Sequence, residues 1–372
     1  MAASADDHAA AASLAAFHES RAGVRGLVES GAVTAVPPMF LRPTTATPPS
    51  SATRAFVVPS VDLSLPRSDA VALVRAAARS CGFFQVTGHG VPARTIHSAL
   101  AAVRAFHEQP LAARSAFYSP TPTGSISYST IPIPPPRAGE PATLPLLPWR
   151  DSLIVSFGAP AEAELDHLPA ACREALLEYH RSLAGFGKEI AGLLSEALGL
   201  RAERLEQAMQ VRGNPMACQY YPPCPEPARV AGGREHTDSC LFTVLAQDEV
   251  GGLQVRLHDG HGGDGEWMDV APVTGALLVN IGDVLKVVSN DEYKSVEHRV
   301  VIKSTQDARV SIALFFKPAK RGESDLFGPL PELVTAERPA RYRSLTLPEL
   351  MSYRTELGHA MTSVDRFKLI FK

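Results

Sequence analysis

The chain contains two histidines and an aspartate in the pattern of a metal-ligand set. His236 and Asp238 stand two residues apart, and His298 follows well downstream. Side chains of a β-strand return to the same face every second residue, so His236 and Asp238 would point the same way. Two imidazoles and one carboxylate are the ligands of a non-haem Fe(II) facial triad, which leaves the other coordination positions open. The sequence therefore predicts an iron centre, with hydrogen-bonded core histidines as the alternative interpretation.

A second pair with the same spacing is suited to binding a carboxylate. Arg309 and Ser311 open a run at 309–316 that is rich in β-branched and aromatic residues and predicts a strand. The planar guanidinium group offers a fork of donors that matches a carboxylate, and the hydroxyl adds one more. A structural ion pair of Arg309 is the alternative.

The same alternation extends the candidate site. Phe315 and Lys317 would share the face of Arg309 and Ser311, so we expect Phe315 to stack on a substrate. Lys317 could meet an acidic group of that substrate, although solvated lysines at strand ends are more common. Cys240 follows Asp238 by two residues and is a candidate pocket wall. The five cysteines lack zinc-like spacing, and we expect buried, reduced thiols.

With these residues in order on predicted strands, the chain resembles the plant 2-oxoglutarate- and Fe(II)-dependent dioxygenases over most of its length. Further stretches match that family's motifs: residues 81–90, 219–225, 251–255, 279–283 and 289–295. Residues 23–31, followed by Pro37, Pro38 and Phe40, resemble the branch of 1-aminocyclopropane-1-carboxylate oxidase homologues. That branch includes benzoxazinoid-glucoside dioxygenases of grasses and alkaloid hydroxylases.

The resemblance implies a cofactor set and a reaction. Fe(II), 2-oxoglutarate and O₂ would act together, with ascorbate supporting activity. An iron(IV)-oxo species would hydroxylate a small aromatic or heterocyclic metabolite, releasing succinate and CO₂. Tyr221 corresponds to the family's tyrosine contact with the co-substrate. Gln219 stands where the family usually has Asn, which puts its own role in doubt.

Two rival functions remain open at this point. An ethylene-forming type of oxidase keeps the same residues but uses ascorbate instead of 2-oxoglutarate. A catalytically silent protein of the same fold would bind a small ligand, but it has no need of three metal ligands. Succinate formation separates the first rival from the dioxygenase, and a metal titration separates the second.

Composition argues against several partners. The net charge is −3 and the pI is near 6.5. We find no basic run, so neither nucleic acid nor a membrane is expected as a partner. The first residues have no basic and apolar signal pattern, and no apolar run approaches the length of a membrane span, which predicts a cytoplasmic protein. We expect a monomer or weak dimer.

The pattern along the chain predicts how the site is assembled. We expect an N-terminal extension and linker (1–55), a helical and strand region (56–205), a jelly-roll core (206–320) and a C-terminal helical segment (321–372). Helices are predicted from about Ser68, along 166–200 and from Arg341. Proline-rich residues 119–148 predict a long loop that could form a lid. No helical stripe is seen between Met216 and Pro318, so antiparallel strands, and hence a double-stranded β-helix, are favoured there.

Overall fold

The computed structural model describes residues 5–31, 35–42, 55–120, 124–130, 147–158, 167–258, 265–319, 325–356 and 364–369. The helices in these ranges are α1 (Ala5–Glu19), α2 (Gly23–Glu29), α3 (Arg67–Ser80), α4 (Ala93–His107), α5 (Leu111–Ser115), α6 (Arg173–Ala197), α7 (Arg204–Met209), α8 (Asp283–Val288) and α9 (Leu347–Glu356). Among them, none is long and apolar enough to cross a membrane.

The strands form two main sheets. They are β1 (Ala55–Phe56), β2 (Ser60–Asp62), β3 (Phe83–Thr87), β4 (Ile126–Ser129), β5 (Asp151–Val155), β6 (Val211–Tyr221), β7 (Gly233–His236), β8 (Phe242–Gln247), β9 (Leu253–Leu257), β10 (Glu266–Val270), β11 (Leu277–Ile281), β12 (His298–Val300), β13 (Arg309–Pro318), β14 (Leu326–Phe327) and β15 (Leu345–Thr346). The larger sheet has the order β2-β3-β11-β8-β13-β6-β5-β4, and the smaller has the order β1-β10-β9-β12-β7. Apart from the parallel pairs β1–β10 and β2–β3, both sheets are antiparallel.

The outer face of the larger sheet packs on helices. Strand β13 shows the alternation clearly, because its even-numbered residues join the main hydrophobic cluster: Val310, Ile312, Leu314 and Phe316. Helix α6 buries a stripe at three-to-four spacing against this face, which includes Leu176, Tyr179, Leu183, Phe186 and Ile190. Helices α3 and α4 pack beside it. Hydrophobic burial of this kind is the main stabilising term of such a fold.

The inner faces of the two sheets meet each other. A second apolar cluster joins Phe83 and Leu278 of the larger sheet with Leu253 and Val255 of the smaller. Odd-numbered residues of β13 point to this side. The two facing sheets are the predicted jelly-roll architecture, and their shared interior is the space in which a site can form.

The N-terminal helix α2 is held against the start of β5 by a buried carboxylate. Asp151 accepts hydrogen bonds from the backbone N–H groups of Val24 and Arg25, each at 2.8 Å. Gly23 has φ +64°, and a Cβ there would lie 2.6 Å from Oδ1 of Asp151. The buried guanidinium group of Arg114 bonds both the carbonyl of Ala22 and the carboxylate of Glu29. Gly23, which opens the stretch at 23–31, is therefore needed for the close packing of α2 on Asp151.

The structure corrects three sequence expectations. Strand β4 lies within 119–148, where only a loop was predicted, because distant pairing with β5 forms it. Helix α8 interrupts the run between Met216 and Pro318, where no helix was predicted. The C-terminal helix begins at Leu347 and not at Arg341. Most of the supposed lid (131–146) and of the linker (43–54) lies outside the described residues, and the four domain boundaries stay predictions.

Candidate metal and co-substrate site

The three predicted ligands converge in the interior of the sandwich. His236 ends β7 and lies opposite His298, which begins β12. Nε2 of His236 and Nε2 of His298 lie 3.6 and 3.7 Å from Oδ1 of Asp238. All three ligand atoms lie within 4.8 Å of one another. This spacing fits three ligands around one cation.

Hydrogen bonds orient each ligand. Nδ1 of His236 lies 2.7 Å from the carbonyl of Arg234, and Nδ1 of His298 lies 3.3 Å from that of Val296. A ring that donates from Nδ1 offers Nε2 to a metal. Oδ2 of Asp238 accepts from Asn280 at 2.8 Å and from Thr243 at 2.5 Å, which leaves Oδ1 for the metal.

The electrostatics suit a divalent cation. Burial lowers the pKa of His236, and a charge on His298 lowers it further. Burial alone would raise the pKa of Asp238, but the two histidines, Asn280 and Thr243 outweigh it and lower that pKa. The shifts favour a neutral imidazole at His236 and an ionised carboxylate at Asp238, which are the protonation states that bind a metal.

A buried network supports the ligands from the side of α8 and α9. Asp283, fully buried, accepts hydrogen bonds from Thr237 at 2.9 Å and from Ser295 at 2.7 Å. Thr237 stands between two of the metal ligands. Arg354 of α9 pairs with the same carboxylate at 3.5 Å. Sequence reasoning missed Asp283, although it ends one of the matched motifs (279–283), and it missed Arg354, which no local pattern marks.

Arg309 is buried, and its hydrogen-bond partners are neutral. Its guanidinium group donates to Ser311 and to Gln247, each at 2.9 Å, and lies 4.9 Å from the ring centre of Tyr221. Its Nε has no hydrogen-bond partner among the described residues. Asp248, which interacts with Arg309 electrostatically, is paired with Arg104 at 3.1 Å. A buried cation whose hydrogen-bond partners are neutral, and whose Nε has none among the described residues, is suited to pairing with an anionic ligand.

The other predicted residues have different surroundings. Gln219 accepts a hydrogen bond of 2.5 Å from Ser152 on the neighbouring strand. Phe315 is half-buried and lies opposite Thr243, with Nζ of Lys317 6.0 Å from its ring centre. Cys240 has no exposed surface; its thiol lies 3.3 Å from the Thr243 hydroxyl, and burial raises its pKa. The substrate-binding roles of these residues stay predictions.

Two half-buried arginines that the sequence analysis did not single out lie on or beside these strands. Arg150 precedes β5, and Arg234 lies on β7 two residues before His236. Burial lowers the pKa of Arg234, and the charge of Arg150 lowers it further. The two-residue repeat of strand side chains, counted back from His236 and from Ser152, was the sequence pattern that could have pointed to Arg234 and Arg150.

Comparison with known proteins agrees with this geometry. Residues 213–318 match the 2OG-Fe(II) oxygenase superfamily, and residues 58–173 match the N-terminal region described as "non-haem dioxygenase in morphine synthesis". The chain is 38% identical over 361 residues to 1-aminocyclopropane-1-carboxylate oxidase homolog 4 of Arabidopsis thaliana, covering 95% of this chain and 97% of that relative. A homolog from Solanum lycopersicum is 36% identical over 364 residues, covering 96% of both chains.

Solved structures give the same family. JOX2 in complex with 2OG, Fe and JA has a TM-score of 0.76 at 28% identity, covering 94% of this chain and 98% of that one. The rice dioxygenase for auxin oxidation has a TM-score of 0.66 at 28% identity, covering 84% of this chain and 100% of that one. With the ligand cluster and the matched regions together, the chain belongs to the 2OG-Fe(II) oxygenase superfamily and is a 2-oxoglutarate- and Fe(II)-dependent dioxygenase.

Proposed function

We propose that this enzyme hydroxylates a small aromatic or heterocyclic plant metabolite. Fe(II) would be held by His236, Asp238 and His298, and the distal carboxylate of 2-oxoglutarate by Arg309. The observation that supports this most strongly is the three-ligand cluster, in which Asp238 and His298 are buried and the ligand atoms lie within 4.8 Å of one another. JOX2 in complex with JA and the dioxygenase for auxin oxidation support a small-molecule substrate.

The protein's part in the reaction is positioning. Bound Fe(II) supplies the chemistry, in which O₂ and 2-oxoglutarate are consumed, succinate and CO₂ are released, and a C–H bond becomes C–OH. Asn280 and Thr243 hold Oδ2 of Asp238, so that Oδ1 keeps a fixed direction. Arg309 would bind both oxygens of the distal carboxylate, with Ser311 and Tyr221 beside it.

The remaining interior residues would shape the pocket. Gln219 accepts a hydrogen bond from Ser152, its paired residue on the neighbouring strand, which holds the end of its longer side chain. Phe315 would offer a flat apolar surface to the substrate, and Lys317 a charge near the mouth. We further propose a cytoplasmic monomer or weak dimer, with ascorbate supporting turnover.

The test is a metabolite screen with iron and 2-oxoglutarate. We expect products heavier by one oxygen atom, formed together with succinate. His236→Ala, Asp238→Ala and His298→Ala should each abolish both signals while circular dichroism stays unchanged; His97→Ala, an exposed histidine on α4, is the matched control. Near-normal turnover in any ligand variant with iron still bound would overturn the assignment, as would product without succinate.

Arg309→Lys tests the co-substrate site separately. Lysine keeps the charge but loses the fork, and a charge-assisted hydrogen bond contributes roughly 1.5–3 kcal/mol. We expect KM for 2-oxoglutarate to rise at least tenfold, with a smaller change for the organic substrate. An unchanged dependence on 2-oxoglutarate would remove Arg309 from the site.

A further inference from the structure

Arg104 of helix α4 contacts the chain where strand β13 begins. Its Nη2 donates at 2.9 Å to the carbonyl oxygen of Ala308, the residue before Arg309. The same nitrogen donates at 3.1 Å to Oδ2 of Asp248, which follows strand β8. A residue of the outer helical layer is therefore bonded to the peptide group on the N-terminal side of Arg309.

Asp248 holds the peptide group on the other side of Arg309. Its Oδ2 accepts a hydrogen bond of 2.6 Å from the backbone N–H of Val310. The backbone N–H of Asp248 donates in return to the carbonyl oxygen of Val310 at 3.0 Å. Oδ1 accepts from the N–H of Val250 at 3.2 Å, which fixes the turn after β8. Both oxygens of the carboxylate are thus held, and Arg104 and Asp248 together bond the two peptide groups that flank Arg309.

The side chain of Arg309 depends on the same two strands. Its guanidinium group donates to Gln247, which precedes Asp248 at the end of β8. It also donates to Ser311, which lies opposite Gln247. The direction of a long side chain follows from the position of its backbone and of its hydrogen-bond partners. Contacts that fix both therefore determine where the guanidinium fork points.

The ion pair of Arg104 with Asp248 has little to offer as a source of stability alone. The two side chains are 37% and 19% exposed, and partly exposed ion pairs contribute little to the free energy of folding. The direction of the hydrogen bonds is more informative, because those of the pair converge on the backbone beside one buried arginine. A role in holding that arginine explains this arrangement.

We propose that Arg104 and Asp248 are positioning residues for the co-substrate, because they hold Arg309 in the orientation that binds the distal carboxylate of 2-oxoglutarate. This inference rests on the proposed function, in which Arg309 is the partner of that carboxylate. The pair acts through the backbone of Arg309. A bidentate bond requires both N–H groups to be aligned, so a small rotation of the guanidinium group weakens it and leaves the contacts at iron unchanged.

The test compares two 2-oxo acids: 2-oxoglutarate, and 2-oxopentanoate, in which a methyl group replaces the distal carboxylate. Anaerobic calorimetry on the full-length Fe(II) protein measures the Kd of each. We expect Arg104→Met and Asp248→Asn each to weaken 2-oxoglutarate binding by roughly threefold to tenfold, as is usual for a supporting network, with less than about a twofold change for 2-oxopentanoate. Arg104→Lys, which keeps a charged donor, should retain part of the affinity. Arg204→Met and Glu332→Gln, which break an ion pair between α7 and the segment before β15, are the matched controls and should change neither Kd.

Arg309→Lys separates a failure of this inference from a failure of the proposed function. If Arg309→Lys weakens 2-oxoglutarate binding and the variants of Arg104 and Asp248 do not, the inference is overturned and the proposed function stands. If Arg309→Lys leaves 2-oxoglutarate binding unchanged, the proposed function fails and this inference fails with it. Affinity for Fe(II) and the circular dichroism spectrum should be unchanged in the variants of the pair. Equal losses for both 2-oxo acids, or a loss of Fe(II) affinity with a lower unfolding temperature, would show a purely structural role and overturn the proposal.

Discussion

Iron affinity should depend on a residue that does not touch iron. Asp283→Asn keeps the size of the side chain but removes its charge and one acceptor. Asp283 is fully buried, and the Arg354 side chain that pairs with it is 8% exposed. Breaking a buried pair by removing one partner costs about 3–5 kcal/mol, and the long 3.5 Å contact argues for the lower end of that range. We therefore expect a loss of about 3 kcal/mol in the free energy of unfolding.

The effect on the metal follows from the hydroxyl of Thr237. An amide at position 283 cannot accept from both Thr237 and Ser295 as the carboxylate does, so the segment between His236 and Asp238 loses a restraint. Loss of an outer hydrogen bond of this kind typically weakens metal binding by about 10–100-fold. Anaerobic Fe(II) titration measures this, and urea unfolding of the metal-free protein measures stability without the contribution of bound metal.

A double-mutant cycle with Arg354→Met gives the decisive comparison. Each single variant leaves one buried charge without its partner, whereas the double variant leaves none. We expect the double variant to be about 2–3 kcal/mol more stable than the sum of the single effects predicts. Additive effects, or an Asp283→Asn variant with the iron affinity of the wild type, would refute the reasoning that α9 supports the metal site.

Three other predictions concern separate parts of the molecule. Phe315→Ala should weaken substrate binding by about 0.5–1.5 kcal/mol in addition to the hydrophobic free energy lost with the buried area, while succinate formation without product persists. Equal losses of product and succinate would show that Phe315 is a core residue instead. Gly23→Ala should lower the free energy of unfolding, measured in urea, by about 3 kcal/mol, because a Cβ would displace the carboxylate of Asp151 and the left-handed backbone is itself costly for alanine. Gly31→Ala is the control: Gly31 has a similar φ but nothing within 4 Å of the added Cβ, so the loss should be only about 1 kcal/mol. Burial lowers the pKa of His107 from 6.5 to about 3, so between these values the unfolded chain takes up a proton that the folded protein does not. The free energy of unfolding should therefore fall by about 2 kcal/mol between pH 6 and pH 4.5. In His107→Gln, unfolding measured over the same pH range should not show this loss.

The sequence predicted those parts of the site that follow from local periodicity. Arg309 and Ser311 lie on one strand, β13, as their two-residue spacing predicts. The prediction that Asp238 shares a strand with His236 was wrong, because β7 ends at His236, but the two side chains still meet. Asp283 and Arg354 form a contact between segments far apart in the chain. Nothing in the local pattern of a single sequence indicates such partners, since they depend on how α8 and α9 pack in the folded protein.

The helices show the same limit. Helix α6 was predicted because its apolar stripe is long and regular. Strand β4 was not, because an alternation of only four residues (Ile126–Ser129) is too short to identify a strand, and pairing with β5 stabilises it. Helix α8 is too short to show a helical period and is stabilised by burial of nearly all its residues.

Strand β13 packs one face on helices and turns the other toward the metal site. Val310, Ile312, Leu314 and Phe316 belong to the main hydrophobic cluster, while the residues between them lie on the inner side, where the proposed co-substrate and substrate would bind. Substitution at the odd positions would thus change what the enzyme accepts without weakening the cluster that keeps it folded. A family built this way can diversify its substrates rapidly, because selection on chemistry and selection on folding act on alternate residues of the same strand.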